Sequence, residues 1–253
     1  MLNLLFQPYF YLSSLVFFLC IVLPPSIIAL PFSKRIRTKL TVPCWNIFFK
    51  VFIKAWCISR VQIIDRRPKK FQKMVHPPGL YIANHQSFMD IPVLMQKVTI
   101  PPVMKKEVIY IPIFGVCAYS SGGILVDRKS KDSRKAVFEN AKINLTQNFK
   151  ALQYYPEGTR QRTGDKPKDV KSIKTPLIKF AYKQNIPVYP VSIWGTKNIL
   201  QNRLIIPFKK MGIVLNDAII PSSCNSEQEF IEKCWSKVQD GHTELDKLLG
   251  LAN

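Results

Sequence analysis

His85 and Asp90 stand five positions apart in the run Ala83-Asn84-His85-Gln86-Ser87-Phe88-Met89-Asp90, directly after the apolar residues Leu80-Tyr81-Ile82. An imidazole that titrates near neutrality can take a proton from an alcohol. A carboxylate can hold that imidazole in one tautomer and stabilise the imidazolium that forms. Five positions on an ideal helix set two side chains about 140° apart. The pair therefore meets only if the chain bends between them, with His85 on a loop and Asp90 in the first turn of a helix. Ser87 is the candidate N-cap of that helix. The chemistry within reach is general-base activation of a hydroxyl. A His and an Asp at this spacing are more often unrelated, so the pair alone names no substrate.

The elements that must position such a pair become legible from about residue 70, where short apolar runs alternate with polar, helix-forming stretches. Leu80–Ala83, Ile100–Met104, Ile124–Val126, Ala151–Tyr155, Val188–Trp194 and Gly212–Leu215 read as strands. Asp132–Asn148, Leu177–Asn185 and Ser226–Leu249 read as helices. This alternation predicts an α/β domain, a mixed and mostly parallel sheet flanked by helices. Lys166–Lys174, with four lysines, is expected to be a mobile loop. There is no internal repeat and no low-complexity tract.

The first 33 residues carry no charge, and Phe10 to Leu23 is almost wholly apolar. Pro24-Pro25 is expected to break this segment, leaving an apolar piece of about 21 Å, shorter than a ~30 Å hydrocarbon core. A kinked span and a wedge in one leaflet both fit. Lys34, Arg35, Arg37 and Lys39 follow and put that flank on the cytoplasmic side. From Val42 to Ile58, Trp45 and Trp56 share nearly one helical angle and Lys50 and Lys54 lie roughly opposite. That pattern reads as a helix lying at the membrane surface, with a core helix as the alternative. The expected division is residues 1–62 as membrane-anchoring and interfacial helices and 63–253 as the catalytic domain.

With 37 Lys and Arg against 16 Asp and Glu, the formal net charge is +21. Such a balance suits an anionic partner: acidic lipid headgroups, a phosphorylated substrate or nucleic acid. Nucleic acid is disfavoured, because the basic residues are spread out and no zinc ligands or recognition helix stand out. The six cysteines, at 20, 44, 57, 117, 224 and 234, include no pair at zinc-ligand spacing and suggest no disulfide framework. No bound metal is expected.

Three further blocks follow the His–Asp run in order. Gly123-Ile124-Leu125-Val126-Asp127-Arg128 is a strand ending in an arginine. Tyr155-Pro156-Glu157-Gly158-Thr159-Arg160 is a strand end and a turn with a carboxylate, a hydroxyl and a second arginine. Ile186-Pro187-Val188-Tyr189-Pro190-Val191 starts another strand. With these blocks the chain resembles the 1-acylglycerol-3-phosphate acyltransferase family, part of the wider glycerolipid acyltransferase group. That family is marked by Asn-His-x-x-x-x-Asp, Gly-x-Ile-Phe-x-Asp-Arg, Pro-Glu-Gly-Thr-Arg and an apolar x-Pro-x-x-Pro-Val. Leu125 stands where the family often has phenylalanine. Before the last block, Thr175-Pro176 falls near the position of a common family glycine.

The residues also make chemical sense on their own. Two guanidinium forks can grip a phosphate bidentately, and Arg128 and Arg160 would end adjacent strands beside His85 if the sheet is parallel there. Either arginine could equally sit in a salt bridge, Arg128 with Asp127 for example. Glu157 could orient an arginine or a substrate hydroxyl, Gly158 permits a tight turn, and Thr159 could satisfy backbone groups at that turn. Cys117 has no histidine motif beside it and reads as core.

The resemblance implies direct acyl transfer with no resident cofactor. His85, oriented by Asp90, would deprotonate the free hydroxyl of a lysophosphatidate, which attacks the thioester of acyl-CoA or acyl carrier protein. It also implies a place for the basic pair Lys105-Lys106, with Lys105 binding an anionic headgroup or donor phosphate. The alternatives are a related acyltransferase using another lysophospholipid or glycerol-3-phosphate, and a non-catalytic basic membrane-bound protein. The last would tolerate loss of the His85 side chain.

Overall fold

Strands and helices alternate along the chain much as the apolar runs foretell. The computed structural model describes residues 2–56, 59–74, 77–111, 114–127, 129–148, 150–161, 166–201 and 204–250. Helix α1 (Leu2–Phe17) passes through a π-helical turn (Phe18–Val22) into α2 (Leu23–Ile28). Helix α3 (Lys34–Val51) ends in a second π-helical turn (Phe52–Trp56). Then come β1 (Arg60–Asp65), the one-turn α4 (Lys69–Gln72), β2 (Gly79–Ala83), α5 (Asp90–Met95) and β3 (Val103–Lys105). Next are α6 (Phe114–Ser120), β4 (Ile124–Val126), α7 (Lys131–Ile143), β5 (Ala151–Tyr154), α8 (Pro176–Lys183) and β6 (Val188–Trp194). A small hairpin of β7 (Leu200–Gln201) and β8 (Leu204–Ile205), β9 (Lys210–Leu215) and the long α9 (Glu227–Gly250) complete the chain.

The main sheet has the order β1-β9-β6-β2-β5. Strand β2 runs parallel to β5 and β6, and β1 parallel to β9, while β6 and β9 are antiparallel. A parallel β3–β4 pair joins the β5 edge through a parallel bridge between Pro102 and Gln153. The sheet is thus mixed and mostly parallel, as expected. Strands β2 to β6 all point their carboxyl ends the same way, which is where open α/β sheets bind ligands.

Strands β2 and β6 are buried throughout, because both faces of the sheet are covered. The two-residue side-chain period sorts their residues. Tyr81, Ala83, Tyr189, Val191 and Ile193 join one core, and Leu80, Ile82 and Val188 join the other beneath α7, α8 and α9.

The first core also contains Phe18, Val22, Trp45, Phe48, Phe49 and Ile53. This corrects the reading of Val42–Ile58 as an interfacial helix. Trp45 is fully buried, stacks on Phe49 at 5.7 Å and donates from Nε1 to Ser120 Oγ at 2.7 Å. Asn46 donates to the Met95 and Gln96 carbonyls at 2.9 and 3.1 Å. Lys50 and Lys54 are exposed as expected; the side chain of Trp56 lies outside what is described. The proposed boundary at 62/63 also fails to separate two cores, and β1 already enters the sheet at Arg60.

Pro24-Pro25 does not break the N-terminal helix. The prolines sit in the first turn of α2, where an N–H has no helical partner to lose, and the π-turn before them absorbs the change of register. The resulting 22-residue stretch Gln7–Ile28 is long and apolar enough to cross a membrane.

Two local expectations also change. Within the stretch expected to be mobile, Lys168 O accepts from Trp235 Nε1 at 2.7 Å and from Gln239 Nε2 at 3.1 Å, and Asp169 caps the turn Val170–Ser172. Residues 166–174 are thereby fastened to α9. Pro176 opens α8 at a position that needs no N–H, so the departure at Thr175-Pro176 is accommodated without distortion.

Candidate active site

The site begins where β2 stops. Asn84 continues the pairing with β6 through its side chain, donating to Ile193 O and accepting from Ile193 N, both at 2.8 Å. With that pairing taken over by a side chain, the backbone is free to turn, and His85 emerges on the loop. Asp90 is the first residue of α5, so the bend required by the five-residue spacing is present. Ser87 caps the turn before the helix rather than the helix itself: its Oγ accepts from Met89 N at 3.0 Å.

His85 Nδ1 lies 2.6 Å from Asp90 Oδ2. A carboxylate only accepts, so the imidazole carries its proton on Nδ1 and offers the Nε2 lone pair. Asp90 is fully buried, which would be costly for an unpaired charge. Its Oδ2 also accepts from Gln86 N at 2.7 Å and Ser87 N at 3.1 Å, and its Oδ1 accepts from the Thr196 hydroxyl. The Tyr155 ring stacks on His85 at 4.3 Å and 25°. Burial pushes the Tyr155 phenol well up, so it stays a neutral wall.

Glu157 holds the His85 loop through both carboxylate oxygens. It is buried, and its two oxygens accept from backbone N–H groups, Oε2 from His85 at 2.9 Å and Oε1 from Lys168 at 3.0 Å. Burial pushes its carboxyl up, while the Lys168 and His85 amides pull it back down. Gln161 N donates to His85 O at 2.8 Å. The turn Glu157–Gln161 thus clasps the His85 backbone from both its N–H and its carbonyl, and this fixes the exposed Thr159 and Arg160 beside it. Gly158 has φ +70, and a Cβ there would lie 2.9 Å from Lys174 Cε and Nζ, so the tight turn is real and the close neighbour is a lysine.

Strands β4 and β5 are not neighbours. β3 lies between them, and its last residue, exposed Lys105, ends at the same edge of the sheet. This corrects the expectation that Arg128 and Arg160 end adjacent strands. Arg128 itself lies outside the described residues, as does His76. Asp127 takes Lys106 as its partner at 2.5 Å, an exposed pair. The side chain of Cys117 is likewise not described.

Sequence reasoning missed Thr196. It follows Gly195, whose φ of +78 turns the chain off β6 and whose Cβ would meet Lys210 O at 2.5 Å. A glycine directly after a mostly apolar strand was the available signal. It also passed over His242, which is buried on α9 with Nε2 3.2 Å from Gln86 Nε2, tying the last helix to the His85 loop.

The chain is similar to known proteins over this region. A family model described as Acyltransferase matches residues 59–194. The 1-acyl-sn-glycerol-3-phosphate acyltransferase of Escherichia coli (strain K12) is 28% identical over 178 residues, covering 67% of this chain and 69% of that one. The enzyme of the same name from Saccharomyces cerevisiae is 26% identical over 183 residues, covering 71% and 59%. The crystal structure of the 1-acyl-sn-glycerophosphate (LPA) acyltransferase PlsC from Thermotoga maritima superposes with a TM-score of 0.74 at 26% identity, over 96% of both chains. The matched segment takes in more than half the chain and holds His85, Asp90, Glu157 and Arg160 together, and the chain belongs to the acyltransferase family.

Proposed function

We propose that this acyltransferase moves a fatty acyl group from a thioester donor to the free sn-2 hydroxyl of 1-acyl-glycerol-3-phosphate, giving phosphatidic acid. The observation that carries the reading is the His85 Nδ1–Asp90 Oδ2 bond of 2.6 Å, which leaves Nε2 as the base at the carboxyl end of the parallel strands. Nε2 takes the hydroxyl proton as the oxygen attacks the thioester carbonyl. The C–O bond forms, the C–S bond breaks, and the proton passes from Nε2 to the departing sulfur. A positioned base typically supplies ~10²–10⁴ in rate, so the remainder falls to holding both lipids in place.

The acceptor phosphate is assigned to the Arg160 side of the site, with Lys105 at the neighbouring strand end. A fork-shaped guanidinium beside the base suits a phosphate one short glycerol carbon away from the reacting hydroxyl. The donor is acyl-CoA or acyl carrier protein; both are acidic and suit a chain of net charge +21. The apolar stretch Gln7–Ile28 supports attachment to a membrane, and the basic residues after it favour a catalytic domain on the cytoplasmic face. The test is an assay of the full chain with lysophosphatidate and each donor in turn, read by mass spectrometry of the lipid product. Phosphatidic acid formed with either donor is the expected result. Transfer only to an acceptor lacking phosphate would overturn the acceptor assignment.

A further inference from the structure

We infer that Thr196 is a positioning residue for the reaction: its hydroxyl holds Asp90 in the orientation that directs the His85 base. This rests on the proposed acyl transfer through His85. Thr196 is fully buried, and its Oγ1 donates to Asp90 Oδ1, the oxygen that His85 does not use. The other oxygen, Oδ2, is shared by His85 Nδ1 and the Gln86 and Ser87 amides. Those three donors belong to the loop that carries His85, so they move with it. Thr196 comes from the far end of β6, across 106 positions of sequence, and is the described donor that ties the carboxylate to the rigid sheet.

A carboxylate held at one oxygen can swing about its Cβ–Cγ bond. Held at both, its plane is set, and with it the ring it grips. The element that delivers Thr196 is itself constrained. Gly195 adopts a left-handed conformation against Lys210 O, where any side chain would collide. Gln86 Oε1 lies 3.4 Å from the same hydroxyl, a longer contact than the bond to Asp90. The shorter, charge-assisted bond takes the single hydroxyl proton.

The test is a double-mutant cycle on the full chain in detergent or vesicles, with lysophosphatidate and an acyl thioester. Thr196→Val keeps the shape and deletes the donor, and is expected to lower kcat about ten-fold or more while the acceptor and donor KM values stay within about two-fold, since a hydrogen bond to a charged group is lost away from the ligands. Thr196→Ser restores most of the rate. In an Asp90→Ala background, Thr196→Val is expected to cost nothing further, because the group it acts through is gone. If the valine variant does not fold, Thr196→Cys, of similar size with only a weak donor, takes its place in the cycle. A valine or cysteine variant with wild-type kcat, or one whose loss is undiminished in the Asp90→Ala background, overturns the inference. A wild-type chain that acylates a different acceptor overturns the proposed acceptor alone, and the cycle is then read on that acceptor.

Discussion

Replacing His85 by alanine removes the Nε2 lone pair without opening the core. The side chain is 16% exposed, and its loop stays clasped through backbone bonds to Glu157 and Gln161. Turnover is expected to fall by ~10²–10⁴ at an unchanged unfolding transition. Near-normal rates from folded His85→Ala protein would remove this residue from the mechanism. Asp90→Asn is expected to be milder yet severe, because an amide keeps a partner for the imidazole but loses the charge that stabilises the imidazolium. Arg160 acts at the same scale. It is exposed, and the clasp that fixes its turn does not use its side chain. Arg160→Ala is expected to raise the acceptor KM or lower kcat/KM by about ten- to hundred-fold, the worth of a charge-assisted hydrogen bond, and Arg160→Lys to recover only part. Steady-state kinetics with acceptor and donor varied separately decide it: a weakened donor with an unchanged acceptor would move the phosphate assignment elsewhere.

Elements, rather than single side chains, explain why Glu157 matters. Its two oxygens join the His85 loop to the segment at Lys168, and that segment is pinned by Trp235 and Gln239 of α9. Glu157→Gln turns one of the two acceptors into a donor facing a backbone N–H. The cost is about 1–3 kcal/mol for a buried unsatisfied group, or a fall in melting temperature of several degrees in a chain of this size. Thermal unfolding and kcat are expected to fall together; a changed acceptor KM at an unchanged melting temperature would instead mean that Glu157 touches substrate. Such long-range ties are what local sequence conceals. Strands β2 and β6 were legible because burial on both faces demands nearly continuous apolar runs, Ser192 being the one polar side chain in β6. The His85–Asp90 pair was legible because both partners fall within one short block. Strand β1 was missed because it lies at the sheet edge and its alternation is blurred by exposed Arg60 and Ile63. The pinning of Lys166–Lys174 and the Thr196 contact depend on residues 67 and 106 positions away, which composition in a window does not report. Pro24-Pro25 misled in the opposite direction: prolines read as breakers stand where a helix can begin.

At the scale of the whole molecule, the N-terminal helices do two jobs at once. Phe10, Ser14 and Phe18 turn inward, Trp45 and Phe48 fill the core, and Gln7 pairs with Ile205 through two hydrogen bonds. Leu12, Leu15, Val16 and Leu19 form an exposed apolar stripe on the opposite side. Excising residues 1–59 would therefore uncover one face of the sheet, and the expected product is aggregated protein rather than a soluble enzyme. Membrane attachment is better tested on the stripe alone. Leu15→Lys with Leu19→Lys leaves the inward face intact and sets two charges where hydrocarbon is expected, a penalty on the order of 5–7 kcal/mol. The intact chain is expected to sediment with vesicles of mixed neutral and anionic lipid, and the double variant to remain largely in the supernatant with an unchanged unfolding transition. High salt should weaken binding to anionic vesicles without releasing the intact chain, since at about 1 M it cuts the reach of the basic residues' charge to about 3 Å and leaves apolar burial in place. A double variant that sediments as fully as the intact chain would place the anchor outside this stripe, and release of the intact chain by salt alone would make the attachment electrostatic.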